Sequence, residues 1–445
     1  MAPAWAVDGR PPAPGVFSMR IPVRLRSSLK WLLPGLGVKR WLLVMAVGVA
    51  LVGLGVGTLL WQVWPLSLIP RALSLGFLPA WARALVFGLA GGGLVILGLG
   101  RINRTLLAPF TQDRGQVVEA LYRYRQRGRG PKVVTIGGGH GLATLLRGLK
   151  LHTTNITAIV TVADDGGSSG RLRRALGVLP PGDIRNCIAA LADNEALTTQ
   201  LFQYRFPTTG EAGLDGHSLG NLFITAMAEV TGSFERAILE SSRVLAVQGR
   251  VIPSTLQSVT LLGDLRAEPN GISRVAGESR ITEAPGTIER VYLEPDDAPA
   301  YPEAVRAILE ADLIVAGPGS LYTSILPNLL VRDIAQAVAS SRGLRVYVCN
   351  VATQQGETDG YSVGDHVAAL ERHVGPGLFP IVLANDNFDH AGSLPEGVDP
   401  VRPDIPPDAP YTLYTADLVD PTHPWRHDSE KLAKVLVWLL ERERG

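Results

Sequence analysis

Several short stretches beyond residue 130 combine glycine with charged and amide side chains in patterns suited to anion chemistry. The first is Gly137-Gly138-Gly139-His140-Gly141. Glycines let backbone N–H groups approach an anion, and a helix start beyond them adds partial positive charge. Leu142 stands where a dinucleotide fingerprint needs its third glycine, and no Gly-Lys-Ser/Thr follows. A nicotinamide cofactor and P-loop ATP hydrolysis are therefore both disfavoured.

The second stretch is Asp164-Asp165-Gly166-Gly167-Ser168-Ser169-Gly170-Arg171. Two adjacent carboxylates suit a ribose hydroxyl or a hard cation such as Mg²⁺. Ser168 and Ser169 supply hydrogen bonds, and Arg171, Arg173 and Arg174 can face phosphate. Asp183 and Asn186 sit in Pro180-Pro181-Gly182-Asp183-Ile184-Arg185-Asn186, where Asp183 is a helix cap or a site residue with equal weight. His217 and Asn221 belong to Gly216-His217-Ser218-Leu219-Gly220-Asn221. A lone histidine is more often structural than catalytic. No Ser/His/Asp order supports a hydrolase triad.

A further turn, Gly317-Pro318-Gly319-Ser320, repeats the anion-binding pattern at a predicted helix start. Asn350 and the run Gln354-Gln355-Gly356-Glu357-Thr358 follow another strand, and Asn385-Asp386-Asn387 could read a base edge. Arg426 can fork onto a diphosphate, and Asp428 beside it is equally a helix cap.

The elements that must hold these loops form a Rossmann-like α/β domain. Residues 132–136 read as a β-branched strand, 142–149 as a helix and 156–162 as a second strand. Such a βαβ unit implies a parallel sheet with helices on both faces. Strands are expected at 258–262, 288–293, 313–316, 345–349 and 381–384. Helices are expected at 218–230, 234–247, 301–309, 328–340, 363–372 and 429–442. Residues 392–410 carry six prolines and read as a surface loop. Ligands of such sheets bind beyond the carboxyl ends of the strands, where the unusual sequence lies.

The front of the chain is different. The total charge of +1 hides 16 Lys/Arg against 3 Asp/Glu in residues 1–130, and 26 against 38 in residues 131–445. No charge interrupts Trp41–Pro70 or Ala84–Gly100. About 20 apolar residues cross a bilayer as a helix. The organisation read from this is a basic cytoplasmic segment 1–40, a two-helix transmembrane hairpin 41–100, a basic juxtamembrane helix and linker 101–130, and a nucleotide-binding domain 131–445. Gly88, Gly91, Gly92 and Gly93 fit the second span if its partner helix packs closely on them. Arginines crowd both outer flanks, so both ends of the hairpin are expected inside. Trp41, Trp61, Trp64 and Trp81 suit span ends. The arginines at 123–129 are read as facing anionic lipid, with no nucleic-acid partner. A hydrophobic content of 46% excludes a disordered chain, and two cysteines exclude a zinc-finger or disulfide framework. Neither zinc nor haem is expected.

The glycine, Asp-Asp, Pro-Pro-Gly-Asp, Gly-His-Ser and Gly-Pro-Gly-Ser stretches, in this order, resemble the bacterial YvcK family of gluconeogenesis factors. That family is related to the transferase CofD. The resemblance covers about residues 131–445. It implies a Rossmann-like domain binding a nucleotide diphosphate, and a homo-oligomer is compatible with it. In the YvcK branch the ligand is a UDP-sugar such as UDP-N-acetylglucosamine, with a role tied to cell shape, cell wall and carbon source. In the transferase branch a phospholactyl group moves from a guanosine diphosphate donor to a deazaflavin alcohol, with Mg²⁺. By motif, Asp164 and Asp165 look like metal or catalytic carboxylates, and Gly137–Gly141 and Gly317–Ser320 like phosphate and nucleotide loops. His140 departs from the threonine expected in many members. The hairpin departs from typical soluble members and places this chain at the bacterial inner membrane, with its soluble domain cytoplasmic.

Overall fold

The computed structural model describes residues 39–59, 78–107, 130–192, 197–208, 213–267, 271–389, 392 and 394–444. The N-terminal basic segment, Trp61, Trp64 and the arginines at 114–129 lie outside the described residues. Two compact units divide the chain, the first ending at Leu121 and the second starting at Tyr122.

The first unit contains α1 (Lys39–Leu59) and α2 (Ala80–Leu107). Trp41 and Met45 approach Gly98, and Val52 approaches Gly91, so the helices pack antiparallel. Glycine makes this packing close: a Cβ on Gly48 would lie 2.8 Å from the Gly91 carbonyl oxygen, and one on Gly91 would lie 2.6 Å from that of Gly48. Gly88, Gly92 and Gly93 face no neighbour within 4 Å. The expected close packing thus rests on one glycine of the four. Among the described residues one helix, Trp81–Arg101, is long and apolar enough to cross a membrane, with mean hydropathy 1.9 over a window. The stretch Trp41–Leu54 is apolar but shorter.

The second unit starts with β1 (Val133–Gly137), α3 (Gly139–Leu149), β2 (Ile156–Val160), α4 (Gly167–Leu176), α5 (Gly182–Leu191) and α6 (Leu197–Gln203). Next come α7 (Leu219–Thr231), α8 (Phe234–Val244), β3 (Arg250–Pro253), β4 (Thr260–Ala267), β5 (Gly271–Ala276), α9 (Glu278–Glu283) and β6 (Thr287–Glu294). The remainder is α10 (Pro302–Leu309), β7 (Leu313–Ala316), α11 (Leu326–Leu329), α12 (Arg332–Ser340), β8 (Leu344–Val348), α13 (Val363–Val374), β9 (Ile381–Asn385), β10 (Thr412–Ala416) and α14 (Ser429–Arg444).

Seven strands form one sheet in the order β10-β9-β8-β7-β1-β2-β3. All its pairings are parallel. Strands β1, β7 and β9 are buried along their whole length, as expected where crossover helices cover a parallel sheet. The chain builds outwards from β1 through β2 to β3, then returns to β7 on the other side of β1. The topological switch therefore lies between β1 and β7, where open α/β sheets bind ligands. The two glycine turns read from the sequence follow those two strands.

The sequence reading assigns no strand at β3 or β10, the two edges of the main sheet, and three further features differ from it. The strands expected at 258–262 and 288–293 are β4 and β6 of a separate antiparallel sheet, ordered β5-β4-β6. The helix expected over 328–340 is broken: a wide turn over Leu321–Ile325 leads into α11, and Val331 adopts extended backbone before α12. The first helix begins at Gly139 rather than Leu142, so it starts inside the glycine turn.

A candidate ligand cleft at the switch point

Both glycine turns are shaped by backbone demands. Gly139 has φ of +61° and Gly317 of +83°, conformations that L side chains rarely adopt. A Cβ on Gly141 would lie 2.6 Å from the Pro318 carbonyl oxygen, so the two turns pack directly on one another. Asn350, at the end of β8, fastens the second turn. Its Oδ1 accepts the Gly319 N–H at 3.1 Å, and its Nδ2 donates to the Gly319 carbonyl at 2.9 Å.

A cavity of about 590 Å³ opens over these turns. Of the residues singled out from sequence, Gly138, Gly139, His140, Gly141, Asp183, Gly319, Ser320, Asn350 and Arg426 line it. Gly137 and Gly317 end the strands beneath, and Asn328 Nδ2 donates to the Gly137 carbonyl at 3.0 Å.

One wall is acidic. Asp183 is half-buried and accepts the Gly139 N–H; burial, then Asp164, push its carboxyl up to about 7. Its carboxyl lines the cleft and bonds to the glycine turn of another element. Glu278, at the start of α9, also lines the cavity. Burial first, then Asp164 and Asp183, raise it to about 10, so at neutral pH it keeps its proton and bonds to Asp164. The adjacent aspartates diverge. Asp164 Oδ1 accepts the Gly166 N–H at 2.8 Å within the carboxyl group cluster. Asp165 Oδ1 instead accepts from Ser279 N–H at 3.1 Å and Ser279 Oγ at 2.9 Å, anchoring the helix that carries Glu278.

The other side is basic. Arg147, near the end of α3, and Arg426 line the cavity, and among the described residues neither guanidinium has a hydrogen-bond or ion-pair partner. His140 is held below its ordinary value by burial and then by Arg426, Arg185 and Arg147. It is therefore neutral at pH 7. Trp425 and His427 complete this side. Burial lowers His427 to about 4, against an opposing contribution from the Cys349 backbone. Asp428 is a helix cap, accepting the N–H groups of Glu430 and Lys431, each at 2.9 Å.

The second turn has its own internal carboxylate. Glu357 accepts the Tyr322 N–H at 3.3 Å and the Thr323 hydroxyl at 2.8 Å. Burial raises it to about 7 against those bonds. Ser320 Oγ donates to Gln354 Oε1 at 2.7 Å, which ties the turn to the same segment.

The remaining predicted residues are held in a network behind the cleft. Ser168 Oγ lies 2.9 Å from His217 Nδ1, and Asn221 Nδ2 donates to Ser168 Oγ at 3.1 Å and Ser169 Oγ at 3.4 Å. Arg185 donates to Ser218 Oγ at 2.5 Å and to Asn186 Oδ1 at 2.8 Å. These bonds join α4 and α5 to the start of α7. Arg171 donates to the Asp215 carbonyl at 2.5 Å and does not line the cavity. Asn385 accepts from Leu418 N–H at 3.1 Å and donates to the Asn387 carbonyl at 2.7 Å, serving a turn. Sequence reasoning missed Arg147 and Glu278. Arg147 carries no motif, and Glu278 arrives from the inserted antiparallel layer.

Residues 133–419 match the family of 2-phospho-L-lactate transferase CofD. The chain belongs to that family and, within it, to the gluconeogenesis factors of the YvcK branch. A Nostoc sp. chain named "Putative gluconeogenesis factor" is 48% identical over 436 residues, covering 93% of each chain. The "Gluconeogenesis factor" of Bacillus subtilis is 45% identical, covering 71% of this chain and 99% of its own. A crystal structure of a UPF0052 member from Bacillus halodurans is 44% identical, with a TM-score of 0.64, covering 69% of this chain and 99% of that one. The Nostoc match cannot reach 93% without the N-terminal unit, whereas the two Bacillus matches are accounted for by the α/β unit.

Proposed function

We propose that this chain is a membrane-tethered, cytoplasmic regulator that binds a nucleotide diphosphate sugar of the UDP-N-acetylglucosamine class. The observation that carries the reading is the pair of unpartnered guanidiniums, Arg147 and Arg426, facing the glycine turns across one cavity. A diphosphate between them gains charge-assisted hydrogen bonds from both sides. Trp425 offers a flat apolar face for a base or sugar, and the amides of Gln354 and Gln355 line the same space. The hairpin reading is supported by the apolar Trp81–Arg101 helix and by its close packing on α1. Arginines on both flanks favour an arrangement with both ends inside, and the resemblance to the YvcK branch supports a wall- and shape-linked role.

The test is calorimetry of the full chain in detergent with UDP-N-acetylglucosamine. The reading expects binding that Arg426→Gln weakens. Absence of binding at millimolar ligand removes it.

A second reading, a transferase of the phospholactyl type, is favoured by the carboxyl cluster beside the same cavity. Mg²⁺ is bound by one or two carboxylates together with substrate phosphates. Asp164, Asp183 and Glu278 fit that chemistry, since their mutual repulsion is what a cation would relieve. Among the described residues no group of three or more His, Cys, Asp and Glu side chains could hold a metal ion by itself, so the substrate's phosphates would have to supply the remaining ligands. When bound, the ion would polarise a phosphoryl oxygen; the residues around it would position the phosphates and accept the proton of an attacking hydroxyl. Turnover of a nucleotide diphosphate donor that requires Mg²⁺ and is lost in Asp183→Asn supports this reading. No product with deazaflavin acceptors counts against it.

A further inference from the structure

A second cavity, also of about 590 Å³, lies between the three-stranded sheet and the helices after β7, and shares no lining residue with the cleft. Its chemistry is set by one row across the sheet. Asp264 on β4 stands directly opposite Arg274 on β5 and opposite Arg290 on β6. Arg274 Nε donates to Asp264 Oδ1 at 3.0 Å, and its guanidinium lies over the Tyr292 ring, 5.1 Å from the centroid. From the opposite wall Arg332 Nη2 donates to Asp296 Oδ2 at 2.9 Å. Arg290 has no hydrogen-bond or ion-pair partner among the described residues.

A guanidinium has five N–H donors. Each of the two ion pairs therefore orients an arginine while using one donor, and the fork left over remains available. Arg290 keeps its whole set. Among the residues lining the cavity three cations meet two carboxylates, with Glu294 close enough to act on Arg274 from outside the lining. Leu293, Leu329 and Leu330 add an apolar wall beside them. The volume lies within the range of about 300–1,000 Å³ usual for small-molecule sites.

We propose that this cavity is a second anion site, taking a small phosphorylated metabolite. Arg290 grips the phosphate with the free donors of Arg274 and Arg332, and the apolar wall holds the carbon skeleton. Planar forks match phosphate oxygens in pairs, which a lysine cannot do. The site is independent of the nucleotide-sugar reading of the cleft.

The experiment is equilibrium dialysis of the full chain in detergent against radiolabelled inorganic phosphate, with Arg147→Gln and Arg426→Gln present so that the cleft lacks its free cations. One phosphate per chain at millimolar concentration is expected. Adding Arg290→Gln should weaken it at least about tenfold, the scale of one lost charge-assisted hydrogen bond. Arg290→Lys should recover only part. Because Arg290 is exposed and partnerless, its replacement leaves the fold intact, checked by an unchanged melting temperature. No phosphate bound in the parent variant, or binding that Arg290→Gln does not change, overturns the proposal.

Discussion

Asn350 grips Gly319 with both ends of its amide, accepting its N–H and donating to its carbonyl, as a neighbouring strand would. The turn after β7 is therefore held by a side chain from β8. Asn350→Ala leaves two backbone groups of the cleft without partners, a loss of about 1–3 kcal/mol when such groups stay dry. Melting temperature and UDP-N-acetylglucosamine affinity should both fall. Asn350→Asp should lose more affinity than stability, because it adds a negative charge beside the ligand.

Arg426 and Arg171 look alike in the sequence, each beside a loop rich in polar residues. Their surroundings differ: Arg426 lines the cavity, whereas Arg171 bonds to the Asp215 carbonyl away from it. Arg426→Gln should weaken nucleotide-sugar binding at least about tenfold, or roughly 1.4 kcal/mol. Arg171→Gln should change it less than threefold by calorimetry. Arg147→Gln, which no motif singles out, should behave like Arg426→Gln.

Glu278 gives the ligand-free protein a particular pH response. Its carboxyl is raised to about 10 by burial and by Asp164 and Asp183. The folded chain therefore holds a proton that the unfolded chain has released above about pH 4. Stability from this group is full at low pH and declines as pH rises towards 10. Asp183 and Glu357, each raised to about 7, complete their titration by about pH 8, and the lowered histidines well before it. Between pH 8 and 9 the slope should thus reach up to about 1 kcal/mol per pH unit from Glu278. Thermal denaturation of Glu278→Gln over that window should be markedly flatter than that of the wild type. Parallel slopes would remove Glu278 as the cause.

Among the glycines of α2, only some serve the contact with α1. A side chain at Gly91 would collide with the Gly48 carbonyl and with Val52, while one at Gly92 would meet nothing within 4 Å. Gly91→Leu should lower the unfolding temperature of the helix pair in detergent, followed by circular dichroism. Gly92→Leu should leave it unchanged.

Much of the cleft was legible because glycine at φ above zero and paired turns after strands leave marks in the sequence. Gly139, Gly317 and Gly319 needed such freedom, and they were the residues that stood out. The roles of individual polar residues were less readable. Asp164 and Asp165 look equivalent side by side, yet adjacent residues in a loop point apart, and one of them anchors Ser279. Ser168, His217 and Asn221 carried a recognisable motif whose bonds turn inward to a helix junction. Arg147 and Glu278 depend on long-range packing. A helix end and an inserted sheet bring them to the cavity, and neither position is marked locally. The inserted sheet itself hid in a Pro- and Gly-rich stretch, since β5 is short and exposed and shows little alternation.

The last helix closes on the first. A Cβ at Gly148 in α3 would stand 2.8 Å from that of Ala433 in α14, and Leu432, Leu436 and Leu439 are fully buried. The first crossover helix packs on α5 early, but the side that meets α14 is left uncovered until that helix has been made. Completion of the α/β unit waits on α14, and a chain stopped before Ser429 presents an unfinished surface to the chaperones and proteases that meet it.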